Sequence, residues 1–390
     1  MRALVTGGCG FIGSHLVGRL VADGHRVVVL DNLATGRREN LHSLPPGAPV
    51  TLTLVDVAEY DAIAPSFAGI DVVFHLAGLA DIVPSISSPL RYHRANVGGT
   101  VAVLEAARQA RVARFVYAAS SSCYGIPDVY PTPETTPPRL LYPYSFAKWA
   151  GEQAVLHWAE VYGISAASLR LFNVYGPRSR TTGAYGAVFG VFLAQRAHGA
   201  PLTIVGDGSQ QRDFVFVSDV VEAFVAAAVS DIDREVFNVA SGAPQSVKSL
   251  ADLIGGSITY LPKRPGEPDI THGDITKIRR VLGWSPKVKF EEGVAVMRAP
   301  RRLEGRAGVD AGADPRRHPR VVRAPWKALG CPPPLGPPAR SVRSRTWPTR
   351  WARFATRAGP SSSVTACSTS CTSGTSGTSS RPAGSATSSW

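Results

Sequence analysis

Cysteine is scarce in this sequence. The chain has 390 residues and five cysteines, of which only Cys9 and Cys123 precede residue 298. Two isolated thiols form no disulfide framework, so a hydrophobic core must hold the fold, and a reducing compartment, the cytoplasm, is expected. Long apolar runs are also missing: no stretch approaches the roughly 20 residues that span a bilayer, so no membrane partner is expected. The opening MRALVTGG enters an apolar strand at once and leaves no room for a secretory leader. No metal site is expected.

An excess of acid is absent too, and the formal charge is +13. Such a balance ordinarily points to an acidic partner such as nucleic acid. Its location removes that inference. Residues 298–390 carry 16 of the 42 basic and 3 of the 29 acidic residues, so the first 297 residues hold 26 of each and are neutral. The basic segment has no hydrophobic periodicity and is dominated by Pro, Arg, Ser and Thr, from CPPPLGPPAR to SSSVTACSTSCTSGTSGTSS. Such a composition cannot bury enough apolar surface to offset the entropy of ordering. Its abrupt start, just after a helix that opens at Phe290, reads as a shifted reading frame in a GC-rich gene. A functional basic tail binding nucleic acid non-specifically is the disfavoured alternative.

Before that point the pattern is regular. Apolar runs at Arg2–Thr6, Arg26–Leu30, Thr51–Val55, Asp71–Phe74, Arg114–Ala118, Ser165–Leu171 and Val236–Val239 predict buried strands. Helical patterns alternate with them at Phe11–Ala22, Leu90–Arg111, Tyr144–Tyr162 and Ser218–Val229. The alternation predicts an α/β protein with a Rossmann-type doubly wound parallel sheet. Three segments follow: a dinucleotide-binding part over 1–172, a smaller substrate-binding part over 173–297, and the tail over 298–390.

The chemistry begins at TGGCGFIG, which joins the first strand to the first helix. Gly7 permits the tight turn, Gly10 lets the backbone approach a pyrophosphate, and Gly13 lets the helix pack close to the sheet. Asp31 ends the second strand, where a carboxylate accepts hydrogen bonds from ribose hydroxyls and repels a 2′-phosphate. The cofactor is therefore NAD rather than NADP. Tyr144 and Lys148 stand four residues apart in YSFAK, on one helical face. A phenol with an ordinary pKa of about 10 becomes a base near neutrality if a lysine and a positive nicotinamide stabilise its phenolate.

These motifs, with DNLATG (31–36), HLAG (75–78), NVGGT (96–100), SSSCYG (120–125), RLFNVYGP (170–177), GDGSQQRDFVFVSDVVEA (206–223) and RPGEPDITHGDITK (264–277), resemble the extended short-chain dehydrogenases/reductases. Within them they resemble the NAD-dependent sugar-nucleotide epimerases and dehydratases. The resemblance covers residues 1 to about 297 and nothing in the tail. It implies that Phe11, Ile12, Asp31, Asn32, Asp56, Val57, Ala77, Gly78 and Asn96 line the NAD site. Lys148 would also hold the nicotinamide ribose, and Phe172 would lie beside the nicotinamide. Asn173, Arg212 and Arg264 would grip the diphosphate of a UDP-sugar, and Ser85, in ADIVPSIS, would touch the sugar.

The same resemblance makes Ser120, four before Tyr124, the catalytic hydroxyl beside Tyr144. Relatives that eliminate water carry an Asp-Glu pair at the next two positions, and sugar-acid decarboxylases a Glu at the second. Here these are Ser121 and Ser122. Hydroxyls supply no such acid–base pair, so elimination and decarboxylation are disfavoured and 4-epimerisation is expected, of UDP-glucose/UDP-galactose or their N-acetylated analogues. Thr271 stands where a bulky tyrosine would restrict N-acetyl groups. Cys123 and His75 read as buried structural residues. A homodimer through Leu90–Arg111 and Tyr144–Tyr162 is implied as well. The competing readings are a reductase or other-position epimerase of an activated deoxysugar, and an NAD-binding scaffold or sensor.

Overall fold

Six β-strands lie within the first 171 residues: β1 (Arg2–Thr6), β2 (Arg26–Asp31), β3 (Val50–Leu54), β4 (Val72–His75), β5 (Arg114–Ser120) and β6 (Ser165–Leu171). With Glu235–Val239 they form a seven-stranded sheet, ordered Glu235–Val239, β6, β5, β4, β1, β2, β3, every pair parallel. The computed structural model describes residues 1–179, 188–262 and 268–299. These lie in one compact unit, Met1–Gly305; the second unit, Arg306–Trp390, lies outside the described residues, and with it nearly all of the expected tail segment.

The strands are apolar along their length because both faces are covered. Ala3 and Val5 of β1 pack with Leu16, Val17, Val220 and Phe224 from helices α1 (Phe11–Ala22) and Val217–Val229. Leu4, pointing the other way, packs with Val103, Leu104, Val155 and Ala159 from helices Gly99–Gln109 and Pro143–Tyr162. This period of two on a doubly covered sheet explains runs such as RFVYAAS. Chain order reverses between β1 and β4, which opens a crevice at the carboxyl ends of the strands, where ligands of such sheets bind.

A separate aromatic cluster organises the later residues. Strand β7 (Asn173–Tyr175) pairs with Phe214–Phe216, and Tyr175 stacks on Phe189 at 4.3 Å. The last described helix, Phe290–Arg298, closes this cluster, with Phe290 stacked on Phe214 at 5.4 Å. A Cβ added at Gly293 would come 2.1 Å from the Tyr175 hydroxyl, so glycine is what lets that helix dock.

One predicted helix is not continuous. Where the pattern predicts Leu90–Arg111, Pro89–His93 and Gly99–Gln109 are joined through a π turn at Arg94–Gly98. The wide turn holds Asn96, whose side chain is tied to the backbone of Leu79 and whose carbonyl accepts from Thr100 Oγ1 at 2.7 Å. No described helix is long and apolar enough to cross a membrane.

Candidate active site

The glycine loop is shaped by close backbone approach. Gly7 has φ +69°, and a Cβ there would meet Ala77 N at 2.8 Å; a Cβ at Gly13 would sit 2.2 Å from the Gly7 carbonyl oxygen. Gly10 caps α1 with extended backbone, no side chain caps it, and the first turn carries no acidic residue. Phe11 and Ile12 therefore start a helix whose amino end is open to an anion. Asp31 is buried and its oxygens accept from Cys9 N at 2.9 Å and Leu33 N at 2.8 Å, which fixes the carboxylate at the strand end. Asn32 is exposed beside it and accepts from Ala34 N at 3.0 Å.

On the other side of the switch point, Asp56 accepts from Ala58 N at 3.0 Å, and buried Val57 packs against Gly99. A Cβ at Gly78 would lie 2.8 Å from Asn96 Oδ1. Asn96 accepts from Leu79 N at 2.7 Å and donates to Leu79 O at 2.9 Å, so it buttresses the Ala77–Gly78 turn from behind. Phe172 is buried at the end of β6.

Thr6, His75 and Thr100 link these pieces. Thr100 Oγ1 donates to Asn96 O and so accepts from His75 Nε2 at 2.9 Å; His75 Nδ1 then accepts from Thr6 Oγ1 at 2.7 Å. Thr6 Oγ1 in turn accepts from Leu76 N and Ala77 N, both at 3.1 Å. Burial, and then the neighbouring Lys148, push the imidazole down to about 3. Neutral and fully bonded, His75 is a strut and not a base.

The catalytic candidates meet above it. Tyr144, Lys148 and Glu152 lie one turn apart along helix Pro143–Tyr162. Burial raises the Tyr144 phenol above its ordinary value, while a hydrogen bond with Ser120 opposes the rise and Asp81 adds to it. The side chains alone thus hold the phenol protonated, and the lowered pKa expected from the Tyr-x-x-x-Lys spacing is not theirs by themselves. Lys148 is 7% exposed, its Nζ lies 4.3 Å from the Tyr117 ring centroid, and among the described residues it makes no hydrogen bond. Burial depresses it to about 7, against the opposing charge of Glu152. Glu152 itself is bound by Arg170 at 2.6 Å and by Ser168 at 3.0 Å.

Ser120 Oγ accepts from Ser122 N at 3.2 Å and donates to Ser122 Oγ at 2.9 Å. The strand end thus presents hydroxyls and no carboxylate. Cys123 is buried and its thiol is pushed up to about 12 by desolvation, an inert packing residue.

On the substrate side, Asn173 is exposed, and its Oδ1 accepts from Thr271 Oγ1 at 3.0 Å. Arg212 is buried and donates to Gln211 O at 2.8 Å. Arg264 lies outside the described residues. Ser85 is fully buried, with its hydroxyl bonded to backbone on both sides. One organiser escaped the sequence reading. Buried Asp213 accepts from Ser241 N and Oγ, both at 2.6 Å, from Gly242 N at 3.2 Å and from Gly273 N at 3.0 Å. It thereby ties three loops together. A carboxylate directly after Arg212 in QQRDF was the available signal.

The residues fit a dinucleotide. The loop is open at an uncapped helix end, a carboxylate is fixed at the end of the second strand, and the largely buried Lys148 ammonium has no hydrogen-bond partner among the described residues. Comparison with known proteins agrees. Residues 3–240 match the NAD-dependent epimerase/dehydratase family. A UDP-glucose 4-epimerase of Mycolicibacterium smegmatis is 40% identical over 304 residues, covering 76% of this chain and 96% of that one. The crystal structure of a Thermotoga maritima UDP-glucose 4-epimerase with UDP-glucose is similar at TM-score 0.72 and 35% identity, over 76% of this chain and 97% of that one. A dTDP-glucose 4,6-dehydratase from Streptomyces venezuelae, solved with NAD, is similar at TM-score 0.72 and 27% identity, over 76% and 96%. The chain belongs to the NAD-dependent epimerase/dehydratase family. It is an NAD-dependent enzyme of the nucleotide-sugar epimerase/dehydratase class.

Proposed function

We propose that the protein is a UDP-sugar 4-epimerase acting on UDP-glucose and UDP-galactose. The observation that carries the reading is the strand end at Ser120–Ser122, hydroxyls bonded to one another where elimination would need an acid and a base. Bound NAD would supply a reversible hydride acceptor at C4, so that net redox change is zero. Gly7, Gly10, Phe11, Ile12, Gly13, Asp31, Asn32, Asp56, Val57, Ala77, Gly78, Lys148 and Phe172 would hold it, with Asn96 supporting the turn behind.

The chain's own part is proton transfer and grip. Tyr144 takes the proton of the 4-hydroxyl and gives it back, and Ser120 hydrogen-bonds both the phenol and the sugar oxygen. Lys148 supplies positive charge below the phenol. Asn173, Arg212 and Arg264 hold the diphosphate, arginine by its planar fork. Binding at that distant end lets the 4-keto sugar turn without leaving. The small side chain of Thr271 leaves room for N-acetylated sugars. A homodimer through the helices that include Pro89–His93 and Pro143–Tyr162 is part of the same reading, and Leu90 there is 85% exposed.

The test is to give the purified protein UDP-glucose with no added NAD. UDP-galactose should form, and Tyr144→Phe should form at least about a hundredfold less. Steady consumption of added NADH, or a 4-keto-6-deoxy product, would replace this reading with a reductase or a dehydratase.

A further inference from the structure

Ser85 belongs in the sugar pocket by resemblance, yet its side chain is turned to another task. The residue is 0% exposed. Its hydroxyl donates to Ile82 O at 2.5 Å and accepts the backbone N–H of Tyr144, 59 residues further on, at 3.1 Å.

The start of the catalytic helix explains why that bond matters. The first-turn N–H groups of any helix have no carbonyl within it. Pro143 brings none, which suits the first position. Ser145 Oγ accepts from Tyr142 N at 3.1 Å and donates to Tyr142 O at 2.8 Å, and Phe146 N reaches Tyr142 O at 3.1 Å. Tyr144 N, at the second position of the helix, has no carbonyl within the helix to accept it, and no side chain at the N-cap serves it. Ser85 does.

The segment bearing Ser85, a short helix over Ile82–Ser87, is fastened to the same place a second time. The ring of Tyr92 stands edge-on to that of Tyr144 at 6.4 Å and 87°, while its hydroxyl donates to Ala80 O at 2.9 Å. Between Ala80 and Ile82, Asp81 holds φ +95°, a conformation that costs a non-glycine residue energy and persists only where surrounding contacts impose it.

We propose that Ser85 is a positioning residue for Tyr144: a cap supplied by the distant short helix Ile82–Ser87 that sets where the phenol stands relative to Ser120 and the sugar 4-oxygen. The proposal rests on the reading of Tyr144 as the proton-transferring group. It assigns Ser85 no contact with the sugar.

The experiment uses Ser85→Ala and Ser85→Cys in the full chain loaded with NAD, with UDP-glucose kinetics over a pH range and UDP binding. Ser85→Ala should lower kcat by about tenfold to a hundredfold, the scale of a small misplacement of a reacting group. KM and the UDP Kd should stay within about twofold, because no substrate contact is lost. The hydrogen bond with Ser120 lowers the phenol's pKa, so loosening it should move the acid limb of kcat to higher pH. Ser85→Cys, which keeps a weak donor and acceptor in place, should fall between, and it carries the test if the alanine variant does not fold. A raised KM with kcat retained would overturn the proposal in favour of a sugar contact, and unchanged kinetics would overturn it outright. Full activity in Tyr144→Phe would instead remove the underlying reading of the base.

Discussion

At Lys148 the structure places an ammonium in a largely buried position, and that has a measurable consequence. Its pKa falls from 10.5 in the open chain to about 7 in the folded one. A group so depressed contributes full stability above pH 10.5, and the contribution is lost as pH falls toward 7. Replacing it by an apolar side chain should therefore stabilise the NAD-free protein at neutral pH while abolishing turnover. We expect Lys148→Met to raise the thermal midpoint by about 5 °C at pH 6.5 and by clearly less at pH 9. An equal gain at both values would show that packing and not charge is responsible. The shared helix face of Tyr144 and Lys148 was legible in their four-residue spacing, whereas Ser120 was picked out only by the family resemblance. The tasks of Asn96, Asp213 and Ser85 were not legible. A short polar side chain bonds whatever backbone tertiary packing brings to it, and in these three the partner comes from a separate segment of the chain that no local pattern predicts.

At the level of elements, the strands were legible and their joints less so. A strand covered on both faces must be apolar throughout, and β1, β6 and α1 fall where the pattern places them, residue for residue. The helix predicted at Leu90–Arg111 is instead interrupted by a π turn. The apolar period survives one inserted residue per turn, so the sequence gives no sign of it. The glycine loop supplies the prediction at this scale. Gly13→Ala puts a methyl 2.2 Å from the Gly7 carbonyl oxygen, contact with backbone that cannot swing aside. The first turn of α1 must then move off the loop, and the variant should purify without bound dinucleotide, read from the ratio of absorbance at about 260 to 280 nm. NAD retained at the wild-type level would mean that the loop does not need this close approach.

For the whole molecule, the question is what the residues after the last described helix contribute. Helix Phe290–Arg298 already completes the aromatic cluster through Phe290, Val294 and Gly293. The Mycolicibacterium smegmatis relative is matched over 96% of its length by 76% of this chain. A chain ended after Ala299 should keep both turnover and a thermal midpoint within about 2 °C of the full chain. Loss of either would give residues 300–390 a structural part that composition does not anticipate.

The central claim, reversal of configuration at C4 with nothing eliminated and nothing exchanged, is tested most directly with UDP-glucose carrying deuterium at C4. After turnover in ordinary water without added cofactor, UDP-galactose should contain the label at C4 in full, with none in solvent, and Tyr144→Phe should leave the substrate nearly untouched. Deuterium appearing in water, or at C6 of a deoxygenated product, would contradict it.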